Sequence, residues 1–399
     1  MQQYDFLIAG AGIFGLTTAI ELRKRHFSVC ILNPGHIPHP LAASTDISKV
    51  VRMEYGTDLE YMDMVAECLP GWRAWNELLG ATLYHETGFL VLARKLLDGD
   101  ETSFEGASYH NLLKKGFHPQ RLDPALLARR FPAFQAEQYP DGFYHSLGGW
   151  AESGRVVEAL ARYARQLRVD IRENQTVEQI LTINNRTTGV ATGEGDRFDA
   201  GHVIVCAGNF TPYLVPELIP YMRVTGHPVF HLKPSRPELF TFPESTVFAA
   251  DISQTGWYGF PLHPGEQVVK VANHGPGLEL HPEHDERVVY EQDVQHLRQF
   301  LRQSIPALAN DPIVHTRRCC YTDTLDGHFW IDRHPEIEGL TIGSGGSGHA
   351  FKMGPVLGQL IAAAALDEEH QWSARYRWRH LTGAAGIEEE ARFTNRLKT

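Results

Sequence analysis

Residues 4–15 read YDFLIAGAGIFG, an apolar segment that runs directly into three spaced glycines. The first six residues favour a short buried strand, and the glycines fit the pattern G-x-G-x-x-G of dinucleotide-binding folds. Gly10 permits a tight turn, Gly12 lets the backbone approach a pyrophosphate, and Gly15 lets the following helix pack close to the strand. The segment therefore predicts a strand, a phosphate-binding turn and a helix at the start of an α/β nucleotide-binding lobe.

The residues that follow support this helix and a second strand. Ile13, Leu16 and Ile20 are spaced to form one apolar helix face. Residues 28–32 predict the next strand, which ends in Asn33, where the pattern expects an acidic residue that accepts both ribose hydroxyls. An asparagine accepts one hydrogen bond and donates another, so this position leaves the choice between NAD and FAD open.

Two later segments repeat the order of strand and glycine, at residues 202–208 and 340–348. Both are typical of buried central strands that end at a ligand, the first of them at Ala207 and Gly208. The second segment precedes an apolar helical stretch at residues 356–366, so its glycines can place backbone N–H groups beside a cofactor. The nucleotide-binding lobe is therefore predicted to be discontinuous in sequence.

The segments between these pieces differ in composition. Residues 81–150 contain short runs in which apolar and polar residues alternate, and residues 216–318 are rich in Pro and β-forming residues. They predict an antiparallel sheet inserted into the nucleotide-binding lobe. The fold class is thus α/β, with a Rossmann-like lobe and an inserted antiparallel-sheet lobe that contacts the substrate. The predicted bounds are 1–80, 150–215 and 320–399 for the Rossmann-like lobe, and 81–149 and 216–319 for the substrate lobe.

Composition restricts the partners. A formal net charge of −11 over 399 residues disfavours nucleic acids and anionic membranes, because polyanions require a basic face. No stretch reaches the roughly 18 apolar residues that a transmembrane helix needs, and the N-terminus shows no signal peptide. The expected partner is therefore a small molecule, with neither a nucleic acid nor a membrane.

Cysteine and histidine usage bears on compartment and metal binding. Five scattered cysteines do not form the pattern of a disulfide framework, which indicates a reducing compartment. The C-terminal residues 396–399, RLKT, differ from a peroxisomal signal of the Ser-Lys-Leu kind, so a cytoplasmic location is expected. The 21 histidines show no pair at ligand spacing together with a third ligand, and no metal site is predicted.

Several motifs in a fixed order carry a family resemblance. They are the loop GAGIFG at 10–15, KVVRMEYG at 49–56, WYGFP at 257–261, KVANH at 270–274, CCYT at 319–322 and GHAFK at 348–352. Over nearly its whole length the chain resembles the monomeric sarcosine oxidase family of D-amino-acid-oxidase-like flavoproteins. That family includes N-methyltryptophan, fructosyl amino acid and pipecolate or saccharopine oxidases. The resemblance implies a glutathione-reductase-2-like fold, FAD as the cofactor, O₂ as the oxidant and a monomer.

The same resemblance implies which residues contact FAD. They are Gly10, Gly12, Ile13, Phe14, Gly15, Asn33, Ser44, Lys49, Val177, Ala207, Gly208, Cys319, Gly346, Gly348, His349 and Lys352. In the family one cysteine is joined through sulfur to the 8-methyl group of the flavin, and the motif Cys-x-Tyr-Thr implies that role for Cys319. Cys320 is the alternative, and residue chemistry alone allows both thiols to be small buried hydrophobic groups.

The resemblance also implies catalytic and substrate-binding roles. Lys270 matches the lysine that helps to activate O₂, although the strand pattern around it equally permits a surface lysine. Arg52 and Lys352 match the cations that hold the substrate carboxylate, and surface charges are the alternative for both. The spacing from Lys49 to Arg52 predicts one helical turn or an irregular loop.

Three aromatic residues, Tyr258, His274 and Tyr321, match positions on the substrate side of the flavin, although each could equally pack in the core. Lys49 is the fourth candidate on this side. Sarcosine oxidases have arginine at the corresponding position, so this chain differs from them there. Its Asp-x-x-Lys setting, which begins at Asp46, is more similar to the fructosyl amino acid and saccharopine oxidases.

The expected reaction is therefore oxidation of the C–N bond of a secondary amine that carries a carboxylate. Oxygen is reduced to H₂O₂, and the imine hydrolyses to an amine and a carbonyl compound. Fructosyl amino acid, saccharopine and pipecolate oxidation are the alternatives within this chemistry. A dehydrogenase or an FAD-binding subunit that passes electrons to a partner is another. An NAD-dependent dehydrogenase is disfavoured, because it has no use for the C-terminal motifs.

Overall fold

The computed structural model describes residues 3–381 and Arg392. The C-terminal tetrapeptide at 396–399, and all but Arg392 of residues 382–399 in the predicted Rossmann-like lobe, lie outside the described residues.

Nine α-helices occur in the described part of the chain. They are α1 (Ile13–Lys24), α2 (Leu59–Leu78), α3 (Phe104–Lys114), α4 (Pro124–Arg130), α5 (Ser153–Gln166), α6 (Thr211–Leu214), α7 (Ile252–Thr255), α8 (Glu291–Ser304) and α9 (Gly354–Leu366).

The strands β1 to β20 form three sheets. In chain order they are β1 (Tyr4–Ala9), β2 (Val29–Asn33), β3 (Lys49–Val51), β4 (Tyr84–His85), β5 (Phe89–Ala93), β6 (Gln120–Arg121), β7 (Asp141–His145), β8 (Gly149–Ala151), β9 (Asp170–Glu173), β10 (Val177–Ile183), β11 (Arg186–Thr192), β12 (Arg197–Val205), β13 (Met222–Leu232), β14 (Val247–Ala250), β15 (Trp257–Leu262), β16 (Val269–Asn273), β17 (Leu278–Glu279), β18 (Ile313–Thr324), β19 (Trp330–Arg333) and β20 (Leu340–Ser344).

The first sheet is the Rossmann-like sheet. Strands β9, β2, β1, β12 and β20 lie in that order and pair in parallel, while β10, β11 and β19 pair antiparallel at its margins. Strand β1 has the predicted bounds, and α1 follows the glycine turn as predicted. Helix α9 packs closely on α1, because Gly358 leaves no side chain where a Cβ would lie 2.3 Å from the backbone oxygen of Thr17. The prediction of a Rossmann-like lobe is confirmed.

The second sheet has nine strands and confirms the predicted antiparallel sheet with one difference. Its order is β17-β13-β16-β15-β14-β5-β7-β6, with β18 paired to β13. All neighbours pair antiparallel except β14 and β5, which pair in parallel. The parallel pair is the junction between two separate chain segments, and no hairpin constrains the strand direction at such a junction.

A third sheet, β3-β8-β4, corrects one expectation. The stretch from Lys49 to Arg52 is neither a helical turn nor an irregular loop, because Lys49–Val51 pairs antiparallel with Gly149–Ala151. Two consecutive valines favour a strand, and their partner lies far away in sequence. Arg52 follows directly after this strand.

Among the described residues, the structure has no helix with the length and apolar character that a membrane span requires. The five cysteines are buried free thiols.

Candidate active site

The glycine loops meet at one edge of the first sheet, where its parallel strands end. Asn33 closes β2, and Ala207 and Gly208 follow β12. Val177 begins β10 shortly after β9 ends. The carboxyl edge of a parallel sheet, beside a helix N-terminus, is where such folds bind nucleotides.

Two glycines of the first loop leave no room for side chains. Gly10 has a φ of +105°, and a Cβ there would lie 2.5 Å from the backbone oxygen of Cys206. A Cβ on Gly15 would lie 1.9 Å from the backbone oxygen of Gly10. The backbone is therefore bare at the turn, which fits a pyrophosphate bound by N–H groups.

Two side chains fasten this loop to its surroundings. The backbone N–H of Ala11 donates to Asn33 Oδ1 at 3.1 Å, and that of Ile13 donates to Ser44 Oγ at 3.1 Å. The Asn33 amide nitrogen donates to the backbone oxygen two residues further on, at 2.8 Å. Asn33 thus holds the glycine loop through Oδ1 and its own turn through Nδ2, a function that the sequence did not indicate.

The third glycine loop lies between the two large sheets and contacts residues on both sides. A Cβ on Gly346 would lie 3.5 Å from the ring of Phe14, at the start of α1. Gly348 has a φ of +77°, and a Cβ there would lie 2.5 Å from the ring of Tyr321 on β18. The loop therefore carries the chain from the nucleotide edge to a pocket between the sheets.

This pocket brings together nine of the residues that were predicted from the sequence. They are Lys49, Arg52, Tyr258, Lys270, His274, Tyr321, Gly348, His349 and Lys352. Ser48, Val50, Phe89, Ile252, Phe260 and Phe351 complete its wall. The predicted cation and aromatic residues thus face one cavity, although they come from distant parts of the chain.

Lys270 is buried in this pocket and held by two acceptors. Its ammonium donates to Asp46 Oδ2 and to the backbone oxygen of Ser48, both at 2.6 Å, and lies 4.7 Å from the centre of the Phe260 ring. Burial lowers the pKa of Lys270 to about 8, and the charge of Asp46 partly offsets this effect. Burial alone would raise the pKa of Asp46, but the ammonium of Lys270 holds it well below its usual range.

A second buried cation, Lys352, lies on the wall of the pocket that the third glycine loop forms. The Lys352 ammonium donates to the Tyr55 hydroxyl at 2.9 Å and to the backbone oxygen of His349 at 3.0 Å. The Tyr55 hydroxyl is also 3.0 Å from His349 Nδ1. The Trp72 indole N–H donates to the backbone oxygen of Lys352 at 2.7 Å, which fixes this turn.

Arg52 shares an aromatic neighbour with Lys352. The Arg52 guanidinium carbon lies 4.9 Å from the centre of the Tyr55 ring, and the Lys352 ammonium nitrogen lies 5.0 Å from it. Both cations thus contact one tyrosine, which the sequence analysis did not single out. The only signal was its presence in the motif at residues 49–56.

The two adjacent cysteines point to opposite faces of β18. Cys319 packs with Val229, Ala272 and Tyr321, whereas Cys320 packs in another cluster on the far side of the strand. The Cys319 sulfur lies 3.8 Å from the Lys49 ammonium. Cys319 therefore faces the pocket wall, and Cys320 does not.

The three aromatic candidates lie together along the second sheet. The Tyr321 ring stacks on His227 with centroids 4.1 Å apart, and the His274 ring lies 5.9 Å from Tyr321. Burial raises the pKa of Tyr321 well above its ordinary value, so the hydroxyl is neutral. Tyr258 is half-buried and packs beside Cys319 and Tyr321.

No group of three or more His, Cys, Asp or Glu side chains within residues 3–381, or with Arg392, is arranged to hold a metal ion.

Comparison with known proteins places the site in context. Residues 5–364 match the family described as DAO, FAD dependent oxidoreductase. The chain is similar to L-saccharopine oxidase of Schizosaccharomyces pombe, with 28% identity over 94% of this chain and 92% of that protein. It is also similar to monomeric sarcosine oxidase of a Bacillus species, with 25% identity over 91% and 92% of the two chains. The solved structure of a fructosamine oxidase from Aspergillus fumigatus, Amadoriase II, shares the fold, with a TM-score of 0.81, 24% identity and coverage of 99% and 94%.

Proposed function

The chain belongs to the family of FAD-dependent oxidoreductases, and on that premise we propose that it oxidises the C–N bond of a secondary amine carrying a carboxylate. When bound, FAD supplies the electron acceptor for the C–N bond and returns the electrons to O₂. The single observation that carries the proposal is the pocket between the sheets. It combines a pair of cations, aromatic walls and a separate buried lysine.

Lys352 and Arg52 would hold the carboxylate. Both lie against the ring of Tyr55, and both are buried, which strengthens their interaction with an anion. A guanidinium offers a planar fork of donors and an ammonium offers a point charge, so together they suit a carboxylate. A substrate held there presents its amine to the aromatic wall of Tyr258 and Tyr321.

Lys270 would act on O₂ in the second half of the reaction. Reduction of O₂ begins with one electron, and a buried positive charge stabilises the superoxide that forms. The lysine is held in place by Asp46 and Ser48, so it needs no rearrangement before it acts. The amine loses two electrons and two protons to become an imine, and O₂ gains them to become H₂O₂.

Cys319 would attach the flavin through a thioether to its 8-methyl group. The bond costs the thiol hydrogen and one methyl hydrogen, two electrons and two protons in all, which O₂ takes up as H₂O₂. The orientation of Cys319 toward the pocket wall supports this choice over Cys320. The Lys49 ammonium, which lines the pocket, donates to the Cys319 sulfur at 3.8 Å.

The substrate is proposed to be an N-substituted amino acid. Lys49 stands where sarcosine oxidases carry arginine, and the relatives named above include saccharopine and fructosamine oxidases. Saccharopine, fructosyl amino acids and pipecolate are therefore the alternatives to N-methyl amino acids. We further propose a monomer, by analogy with the bacterial relative of that description, and a cytoplasmic location.

The test is a substrate screen with two readouts. N-methyl amino acids, cyclic imino acids, saccharopine and fructosyl amino acids are added to the purified protein without O₂, and loss of flavin colour is recorded. Oxygen is then admitted and H₂O₂ is measured. We expect one class to bleach the flavin and to release H₂O₂. The proposal fails if no amine bleaches the flavin, and bleaching without H₂O₂ would instead indicate a dehydrogenase.

A further inference from the structure

A row of three titratable side chains crosses the second sheet. His231 on β13 is directly opposite Lys270 on β16, and on its other side it is directly opposite His315 on β18. Residues in register on adjacent strands project from the same face of a sheet. The three side chains therefore stand side by side on one face.

Asp46 joins the first two members of this row. One carboxylate oxygen accepts from the Lys270 ammonium at 2.6 Å, and the other lies 3.6 Å from His231 Nε2. The His231 ring in turn lies against the His315 ring, with centroids 4.9 Å apart. The His231 ring therefore lies between the Asp46 carboxylate and the His315 ring.

The row runs from the interior to the solvent. Lys270 is 2% exposed and His231 is 7% exposed, whereas His315 lies among the exposed residues at the start of β18. Nitrogen Nε2 of His231 is buried and has no hydrogen-bond partner within the described part of the chain. Its contact with Asp46, at 3.6 Å, is longer than a hydrogen bond. A buried imidazole without a close hydrogen bond is costly, which calls for a function.

The proposed reaction requires proton delivery. Reduction of one O₂ to H₂O₂ consumes two electrons and two protons, and only one of those protons accompanies the electron pair from the reduced cofactor. The second proton has to reach a buried site from the solvent.

We propose that Lys270 yields its ammonium proton to the reduced O₂, and that His315 and His231 pass a solvent proton through the Asp46 carboxylate to replace it. This inference rests on the proposed function. Each imidazole accepts a proton at one nitrogen and releases one from the other, so charge crosses the row without movement of the backbone. His231 and His315 are positioning residues, because neither contacts the substrate or O₂.

The charges around the row suit such transfer. Asp46 is faced by Lys270, His231 and Arg317 from the second sheet and by Lys49 from the third sheet. Partial burial lowers the pKa of His315, and the positive neighbours add to this effect while Asp46 opposes it. The outer imidazole is therefore neutral near pH 7, the form that both accepts and releases a proton.

The experiment compares His315→Gln with a matched control, His296→Gln, which replaces an exposed histidine on α8. Flavin is reduced by substrate without O₂ and then mixed with O₂ in a stopped-flow instrument. We expect reduction to be unchanged in both variants, and reoxidation to slow roughly tenfold or more in His315→Gln alone. We also expect a larger slowing in D₂O and recovery with added imidazole, effects that a merely structural change would not produce.

His231→Asn tests the buried member of the row. Retention of bound flavin at the parental ratio shows that the variant folds, and the same kinetic changes are expected without rescue by imidazole, because the position is closed to solvent. Equal reoxidation rates in the parent and in His315→Gln overturn the relay, as does equal slowing in the His296→Gln control.

A readout independent of turnover separates this proposal from the proposed function. In the oxidised holoenzyme labelled with ¹⁵N-histidine, exchange of the His231 imidazole proton with water is measured by NMR. We expect exchange to slow at least about tenfold in His315→Gln and to stay unchanged in His296→Gln. An unchanged exchange rate in His315→Gln overturns the relay even if no amine proves to be a substrate. If no amine reduces the flavin but the exchange still slows in His315→Gln, only the proposed function is overturned.

Discussion

Replacement of Lys270 by methionine removes a buried ammonium while it keeps an unbranched side chain in the same space. In the parent protein this ammonium is held between Asp46 and Ser48. Its pKa of about 8 means that the positive charge is present below pH 8 and is lost as the pH rises above it. If this charge stabilises the superoxide, reoxidation of the flavin by O₂ falls over the same range.

The size of the effect follows from the titration. A group with a pKa of about 8 is about nine-tenths protonated at pH 7 and about one-tenth protonated at pH 9. Reoxidation should therefore fall about tenfold between these two pH values. In Lys270→Met it should be roughly a hundredfold slower at pH 7, equivalent to about 3 kcal/mol, and independent of pH. In Asp46→Asn the inflection should move to lower pH, because the Asp46 charge raises the pKa of Lys270.

The assay is stopped-flow spectroscopy of the two half-reactions, measured separately between pH 6.5 and pH 10. Lys233→Met is the matched control, because Lys233 is an exposed lysine directly after β13 of the same sheet. Reduction by substrate should change little in Lys270→Met. Equal slowing of both half-reactions, or a parent protein without an inflection near pH 8, would contradict the role of Lys270 in O₂ reduction.

Three further predictions concern flavin attachment, the carboxylate-binding cation Lys352 and the glycine loop. Acid precipitation should leave the colour on the parent polypeptide and on Cys320→Ser, whereas Cys319→Ser should release flavin into the supernatant; colour retained in Cys319→Ser would exclude this attachment. Lys352→Ala should weaken the binding of a carboxylate inhibitor by about ten- to a hundredfold in a flavin-perturbation titration, because a contact worth roughly 1.5 to 3 kcal/mol is lost. An uncharged amide analogue should bind the parent and the variant equally weakly. Gly15→Ala should abolish flavin binding, because the new Cβ would lie 1.9 Å from a backbone oxygen, and Gly201→Ala, with 3.7 Å to the nearest atom, should bind flavin normally.

The local elements of the fold could be predicted from the sequence because their signals are local. Strand β1, the glycine turn and α1 lie within the first 24 residues, where apolar spacing and glycine positions act together. Helix α9 was predicted for the same reason, and begins two residues earlier than its apolar run. The rest of the fold class was predicted from the family resemblance, which several motifs in a fixed order carry.

Contacts between distant segments could not be predicted in this way. Lys270 and Asp46 are 224 residues apart, and the strand pattern around Lys270 permitted a surface position. The loop before β3 packs against the second sheet and covers this lysine with Asp46 and Ser48. The strand Lys49–Val51 was missed for a similar reason, because its partner Gly149–Ala151 belongs to another part of the chain. Tyr55 lies in a recognised motif, but its contacts with two cations depend on how that motif meets the C-terminal glycine loop.

The contact between Phe14 and the loop at Gly346 has a consequence for biosynthesis. The N-terminal turn leaves the ribosome when almost the whole chain is still unmade, and β12 has to wait for β20 before the parallel sheet is complete. A nascent chain therefore cannot complete the nucleotide edge before residues 340–348 have been made. Cofactor capture is thus expected late in synthesis.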